Sequence, residues 1–409
     1  MKNDIGSNNQ NVKLQNRLLV LKHIATQPGI SRIDIARITD LSKMTASNIV
    51  NDLLSANLIE EFDASPTPNS FGRRPIMLTL ASQSPCICGM LVKRKLCQVV
   101  LSDLGGNIIF HDSHPYSTLR SPEDLLDILK QLFYKCKQNT TRRIAAIGIA
   151  CVGPLDSTRG YILKPPYFHG IENFPIVSRV QEITGLPTYL VNDATAGAFS
   201  EKMFGLGASI ENFAYLHIMN GIGAGFVLNH ALYDGDSGQS GEIGHTSINF
   251  NGPVCACGNR GCLDLYARTD AMQTRIRELS AFYPGSPLTN SVAPDWNEIV
   301  SAGNRRDPLA IVVLEEFCSY IAYSLTNAIN LLNLSTVIVG YSSEDDGNII
   351  EELIGHKLNN LVMSAKYQPI SVIHSSFRGD APLIGSAALI ADKIFNHSLP
   401  LKELEMLTN

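Results

Sequence analysis

Three thiols fall within eight residues, at Cys255, Cys257 and Cys262, and His245 stands ten residues before the first of them. Three sulfurs and an imidazole are four soft donors, a set that suits tetrahedral zinc, and the run Cys-x-Cys-Gly-x-x-Gly-Cys supplies tight turns that can point sulfurs inward. The pair-and-pair spacing of a generic zinc finger is absent. Four protein ligands leave no open position for a reacting water, so zinc here would be structural. The competing reading is a set of reduced structural cysteines. The other six cysteines, Cys86, Cys88, Cys97, Cys136, Cys151 and Cys318, lie mostly in apolar runs and read as buried small hydrophobes.

A second group suits nucleic acid. Ser31-Arg32-Ile33-Asp34 is a capping box, with Asp in place of the usual Glu, and opens a short helix through Ile35, Ala36 and Ile38. Asp40-Leu41 makes a turn, and Ser42 caps a second helix, KMTASNIVNDLLSANLI, that turns Ile49, Val50, Leu53 and Leu54 inward. Its first turns expose Lys43, Thr45, Ser47 and Asn48, side chains that reach base edges or phosphates. Upstream, Leu18, Leu21, Ile24 and Ala25 mark a helix over 15–27 that Pro28-Gly29 ends. Downstream, Leu58–Glu61 and Pro75–Leu80 read as two arms of a hairpin whose polar link carries Arg73 and Arg74, suited to phosphate or a narrow minor groove. Helix, tight turn, capped helix and basic hairpin predict a winged helix-turn-helix over residues 1–84. A small helical protein-interaction domain with a charged loop is the alternative.

The rest of the chain must position a third group, Asn192, Asp193, Glu242 and Asp264. Residues 86–92, 96–102 and 107–110 predict a three-strand meander, 125–133 a helix, 144–150 a buried strand, 176–184 a helix and 188–191 a strand. Asn192-Asp193 ends that strand, and Ala194 to Phe204 is helical. A second unit begins near Phe213 with a strand to Ile218, a glycine turn at Gly221–Gly225 and a strand at Phe226–Leu228. Asp307–Leu332, 348–362 and Ala381–Phe395 read as helices, and 336–339 and 370–373 as strands. Strands alternating with helices predict α/β lobes with covered sheets. Asp193 and the glycine turn fall at strand ends or connections, where α/β proteins bind ligands. Taken singly, Asp193 also reads as a helix cap and Glu242 as an exposed acid in a glycine-rich loop.

The 409 residues are 44% apolar, which excludes a disordered or low-complexity chain and allows two or three domains. No run of 18 apolar residues predicts a membrane span, and the N-terminus lacks a secretory apolar core. Together with the cysteine usage this predicts the reducing cytoplasm. Net charge is -5, but residues 1–80 hold nine Lys and Arg against seven Asp and Glu, so that segment is +2 and the remainder -7.

Gly241-Glu242-Ile243-Gly244-His245, followed by Cys255-Ala256-Cys257-Gly258-Asn259-Arg260-Gly261-Cys262-Leu263-Asp264 and preceded by Gly72-Arg73-Arg74-Pro75, resembles the ROK family of repressors and sugar kinases. The resemblance covers nearly the whole chain. It is to the winged-helix branch that contains xylose- and N-acetylglucosamine-type sugar repressors. It implies an actin-like, hexokinase-like (ribonuclease H-like) pair of lobes after the winged helix, with a ligand cleft between them. The expected lobes are 85–205 plus 380–409, and 206–379 with the zinc site. The resemblance implies His245, Cys255, Cys257 and Cys262 as zinc ligands. It implies Asn192, Asp193, Glu242, His245 and Asp264 as sugar ligands, with Asp264 standing where the family usually has Glu.

Kinase members carry Asp-x-Gly-Gly-Thr near the start of the body. Here Leu91 replaces the Asp, Lys93-Arg94 the glycine pair and Lys95 the Thr, and Gly340-Tyr341 stands where paired glycine is common. Long side chains obstruct the close backbone approach that phosphate needs. The expectation is a sugar- or phosphosugar-responsive repressor without catalysis, binding operator DNA as a homodimer or homotetramer. An active kinase with an added DNA-binding domain, and a regulator controlled by a protein partner, are the alternatives.

Overall fold

The computed structural model describes residues 9–63, 76–219, 221–236 and 238–405. Helix α1 (Asn9–Thr26) leads through the short strand β1 (Ile30–Ser31) to α2 (Arg32–Thr39) and α3 (Lys43–Ser55), followed by strands β2 (Ile59–Asp63) and β3 (Ile76–Leu80). The helices form where capping and apolar spacing agree. The Ser31 side chain accepts from the Asp34 backbone N–H while the Asp34 carboxylate accepts from Ser31, which closes the expected capping box. Asp40 takes the left-handed conformation that ends α2, and the Ser42 hydroxyl accepts from the Thr45 N–H to start α3. Leu18, Leu21, Ile24, Ile35, Ala46, Ile49, Val50 and Leu53 are buried together with Leu58 and Leu78. Arg17 of α1, almost wholly buried, reaches Asp52 of α3 at 2.6 Å. β2 and β3 pair antiparallel from Ile59↔Leu80 to Asp63↔Ile76, and β1 adds to β3. This is a winged-helix arrangement. The tip of the hairpin, with Arg73 and Arg74, lies outside the described residues.

The body follows in two sheets. Strands β4 (Cys86–Val92), β5 (Leu96–Asp103) and β6 (Ile108–Pro115) form the expected meander, followed by α4 (Pro122–Gln138) and β7 (Ile144–Cys151). A two-stranded ribbon, β8 (Leu155–Asp156) with β9 (Tyr161–Ile162), precedes α5 (Ile176–Thr184) and β10 (Thr188–Asn192). The first sheet runs β10-β7-β4-β5-β6. Next come α6 (Asp193–Phe204), β11 (Phe213–Ile218), β12 (Ile222–Leu228) and β13 (Ala231–Leu232). Helices α7 (Thr269–Leu279), α8 (Trp296–Asn304) and α9 (Pro308–Leu332) lead to β14 (Thr336–Gly340), α10 (Ile349–Leu361), β15 (Ser371–His374), α11 (Ala381–Phe395) and the short α12 (Lys402–Glu405). The second sheet runs β13-β12-β11-β14-β15, antiparallel between β11 and β12 and parallel from β11 through β14 to β15. Among the described residues one helix, α9, is long and apolar enough to cross a membrane; over half of its most apolar window is buried, and Leu314, Cys318, Ile321 and Leu325 sit in the core of the second sheet.

One expectation is corrected. Gly221–Gly225 is not a turn: β12 already begins at Ile222, and Gly223 and Gly225 are strand residues. Their lack of a side chain has a packing cause, since a Cβ at Gly223 would stand 2.7 Å from the Ala194 Cβ and one at Gly225 2.6 Å from the Ala198 Cβ. The chain divides into two compact units. One compact unit comprises residues 1–150, 175–190 and 386–409, so the N-terminal module groups with the first sheet. The other comprises 151–174 and 191–385. Helix α6 packs on β11 and β12 and so belongs with the second sheet although it follows β10 of the first.

Candidate functional site

The cysteine cluster is built by a tightly hydrogen-bonded loop. The Cys255 N–H donates to the Asn259 carbonyl at 2.7 Å and the Gly258 N–H returns to the Cys255 carbonyl at 2.9 Å, a tight turn with Gly258 at φ +92°. An isolated bridge pairs Ser247 with Cys262, and the Asn259 side-chain amide donates to the His245 carbonyl at 3.1 Å. These bonds bring the donor atoms of His245, Cys255, Cys257 and Cys262 within 4.8 Å of one another. The Cys257 and Cys262 sulfurs are 3.6 Å apart, and Cys255 Sγ is 3.8 Å from His245 Nδ1. Tetrahedral zinc, with bonds of ~2.3 Å to sulfur and ~2.0 Å to nitrogen, spaces its donors about 3.5–3.8 Å apart. The residues present therefore fit a zinc ion, with Nδ1 as the imidazole donor. Backbone donation from Asn259 holds the exposed Cys257 thiol below its usual range, whereas burial pushes Cys262 up to about 12. Bound zinc takes thiolates, so its binding releases protons.

The polar group lies in the same compact unit as the cysteine loop. Three elements meet at the start of β12. Helix α6 packs on that strand through Ala194 and Ala198. The 241–245 segment is pinned to it by the Ala224 N–H, which donates to the Gly241 carbonyl at 2.9 Å. Gly241 sits at φ +84°, and a Cβ there would collide with the Ala224 carbonyl, so only glycine lets the segment lie this close. Asp264, just after the cysteine loop, accepts from the Ile222 N–H at 3.0 Å. One of its oxygens is thus committed to holding the loop.

Asn192, rather than Asp193, is the N-cap of α6: its Oδ1 accepts from the Ala194 N–H at 2.9 Å and the Thr195 N–H at 3.5 Å. Asp193, half-buried in the first turn, accepts from Ala194 N–H at 2.9 Å. The Asn192 amide nitrogen and the Glu242 carboxylate flank Gly153, which lies just after β7. Glu242 has its surface open to solvent, yet protein crowds it closely enough that desolvation raises its carboxyl above the usual range; Asp193 and Asp264 push the same way and His245 opposes them. Asp193, Glu242 and Asp264 are therefore one electrostatic cluster of carboxylate acceptors, with the His245 ring acting on it in the opposite sense. Because His245 turns Nδ1 toward the thiols, Nε2 is its remaining polar atom.

The segment that replaces the kinase phosphate turn is closed. Leu91 is fully buried in β4, paired with Gln98 of β5. The Lys93 N–H donates to the Leu96 carbonyl at 2.9 Å, the Tyr116 N–H donates to the Lys95 carbonyl at 2.9 Å, and the Tyr116 hydroxyl donates to the Lys93 carbonyl. The Lys93 N–H and the Lys93 and Lys95 carbonyls are thus used within the hairpin. Tyr341, after β14, is buried and its hydroxyl donates to Glu351 at 3.0 Å.

In the N-terminal module, Lys43, Thr45 and Asn48 are exposed on α3 and Ser47 is half-buried. The Thr45 hydroxyl shares a hydrogen bond with Ser42 at 2.8 Å. Arg32 is fixed by Glu61 at 2.7 Å and donates to the Asn51 side chain at 3.0 Å and the Ser47 carbonyl at 3.3 Å. The sequence reading missed Met44, which α3 exposes beside these residues.

A winged helix joined to a two-sheet α/β body, with a loop that gathers one histidine and three cysteines, defines a class, and the chain belongs to the ROK family, whose sequence model matches residues 94–393. It is 31% identical over 388 residues to the xylose repressor of Bacillus subtilis, covering 93% of this chain and 96% of that one. A crystal structure of a ROK family transcriptional regulator, a homologue of the Escherichia coli Mlc protein, superimposes with a TM-score of 0.78 at 26% identity over 96% of this chain and 99% of that chain. A ROK family glucokinase from Streptomyces griseus, solved with glucose and AMPPNP, shares the fold with a TM-score of 0.66 at 23% identity, covering 74% of this chain and 98% of its own.

Proposed function

We propose that this chain is a sugar-responsive transcriptional repressor that binds operator DNA through α2, α3 and the β2–β3 wing. The observation that carries the reading is the capped α2–turn–α3 pair on a ROK body whose phosphate turn is replaced by a closed Lys93-Arg94-Lys95 hairpin. Lys43, Thr45, Ser47 and Asn48 would meet the major groove, and Arg73 and Arg74 phosphate or the minor groove. Asn192, Asp193, Glu242 and His245 would bind the hydroxyls of a sugar or phosphosugar, with Asp264 bracing the loop and offering its second oxygen. Carboxylates suit this ligand because each accepts from two hydroxyls. Zinc on His245, Cys255, Cys257 and Cys262 would fasten the loop and orient His245; its contribution is structural. The protein would act in the cytoplasm as a homodimer or homotetramer, since a two-fold assembly matches two half-sites.

The test has two arms. Affinity for duplex DNA measured against salt should fall linearly on logarithmic axes, and Arg73→Ala with Arg74→Ala should flatten that slope by about one to two units as phosphate contacts are lost. ADP release with magnesium, ATP and any sugar that binds should be absent. Turnover near ~1 per second, an ordinary enzyme rate, would favour a kinase instead. A folded double variant with unchanged affinity and slope would remove the wing from the interface.

A further inference from the structure

The face that α3 turns to solvent is not uniformly polar. Ala46, Ile49, Val50 and Leu53 are buried, leaving Lys43, Met44, Asn48 and Asn51 on the outer side. Met44 is 75% exposed, the most exposed large apolar side chain among the described residues of the N-terminal module. Several of its polar neighbours are already engaged. Thr45 shares its hydroxyl with Ser42, and Asn51 accepts from Arg32, which Glu61 holds in place. Among the described residues the Asn48 amide has no hydrogen-bond partner. Met44 and Asn48 are four apart, so they stand one above the other on the helix, with Cβ atoms about 5–6 Å apart. That distance is between one and two base-pair steps of ~3.4 Å. The two side chains therefore present an apolar thioether tip and an amide to consecutive or next-but-one base pairs.

The chemistry of each tip selects its base. An amide pairs bidentately with N6 and N7 of adenine, and an apolar tip finds one apolar group in the major groove, the 5-methyl of thymine. We propose that Met44 and Asn48 act as one reading pair, with Asn48 on an adenine and Met44 against the methyl of a thymine one or two steps away. This rests on the DNA-binding reading above. It adds Met44 as a specificity-determining residue and states the bases it reads.

The experiment uses the full chain. An operator is first selected from a random duplex pool, and each thymine in it is then replaced singly by deoxyuridine, which removes only the 5-methyl. Wild type should lose about three- to fivefold in affinity at one thymine per half-site, the cost of one buried methyl. Met44→Ala should bind more weakly and be indifferent to that uracil while keeping its response at other positions, and Met44→Leu should restore the methyl dependence. Asn48→Ala should lose about fivefold or more of the preference for adenine one or two steps away. Met44 is exposed, so these variants fold. If an operator is selected but the uracil profiles of wild type and Met44→Ala coincide, the reading pair is wrong and DNA binding stands. If no sequence is enriched at all, the sequence-specific DNA reading falls and this inference falls with it.

Discussion

Asp193 stands one residue beyond a cap that does not need it. Asn192 accepts from both Ala194 and Thr195, so the helix start does not rest on Asp193 alone, although Asp193 also accepts from Ala194; in the proposed reading its carboxylate serves the sugar. Asp193→Ala should therefore leave thermal stability nearly unchanged and weaken effector binding by about ten- to hundred-fold in calorimetric titration, the effect of losing ~1.5–3 kcal/mol of hydrogen bonding to a charged group. Asn192→Ala should instead lower the melting temperature, since an N-cap contributes about 1 kcal/mol. If the Asp193 variant melts early and binds sugar normally, the roles are reversed. The cluster of His245 and three cysteines makes a second expectation. Purified protein should carry one zinc per chain, and Cys257→Ser should lose it and unfold more easily, because metal binding adds folding free energy. Protein kept reduced yet free of zinc would reject the site. Residue types made these groups legible in the sequence: four soft donors close together, and an Asn-Asp pair at a strand end. The Asp264 bond to the Ile222 N–H was not legible, because the partners are 42 residues apart and nothing local marks them. Met44 was passed over because an apolar residue inside an amphipathic helix reads as core until its burial is known.

At the scale of elements, local signals succeeded where the cause is local. The α2 start follows from Ser31 and Asp34 alone, and its energetics can be checked. Ser31→Ala should cost about 1 kcal/mol in chemical denaturation. The Ser31 hydroxyl and N–H hold the Asp34 carboxyl below its usual range. A carboxyl with a depressed folded pKa stabilises above its unfolded value near 4, and that contribution disappears as pH falls through the folded value. The difference in stability between wild type and Asp34→Asn should thus be present at neutral pH and shrink below about pH 4; a difference that grows with acid would contradict the capping box. Where the cause is tertiary, local signals misled. Glycines at 221, 223 and 225 look like a turn, but two of them are strand residues that let α6 approach β12. Gly223→Val should consequently destabilise the unit by about 1–3 kcal/mol through overpacking. Strand alternation and helix caps gave the order of elements; which sheet α6 joins depends on contacts made far along the chain.

For the whole molecule, the acceptor cluster and the cysteine loop belong to one compact unit, and α1, α2, α3 and the wing strands belong to the other. A sugar can then alter DNA binding only by binding the DNA-free and DNA-bound forms with different affinity. Such coupling is reciprocal: whatever factor the sugar removes from DNA affinity, DNA must remove from sugar affinity. The most direct measurement is this pair of titrations on the full chain, with a panel of sugars and phosphosugars, for wild type and Asp193→Ala. The account predicts that one sugar class lowers wild-type operator affinity by about 5- to 150-fold, a coupling of ~1–3 kcal/mol. Operator should lower affinity for that sugar by the same factor, and the variant should hold DNA equally well with or without sugar. A sugar that binds tightly and leaves operator affinity unchanged, or a variant that still answers at the wild-type concentration, would contradict it.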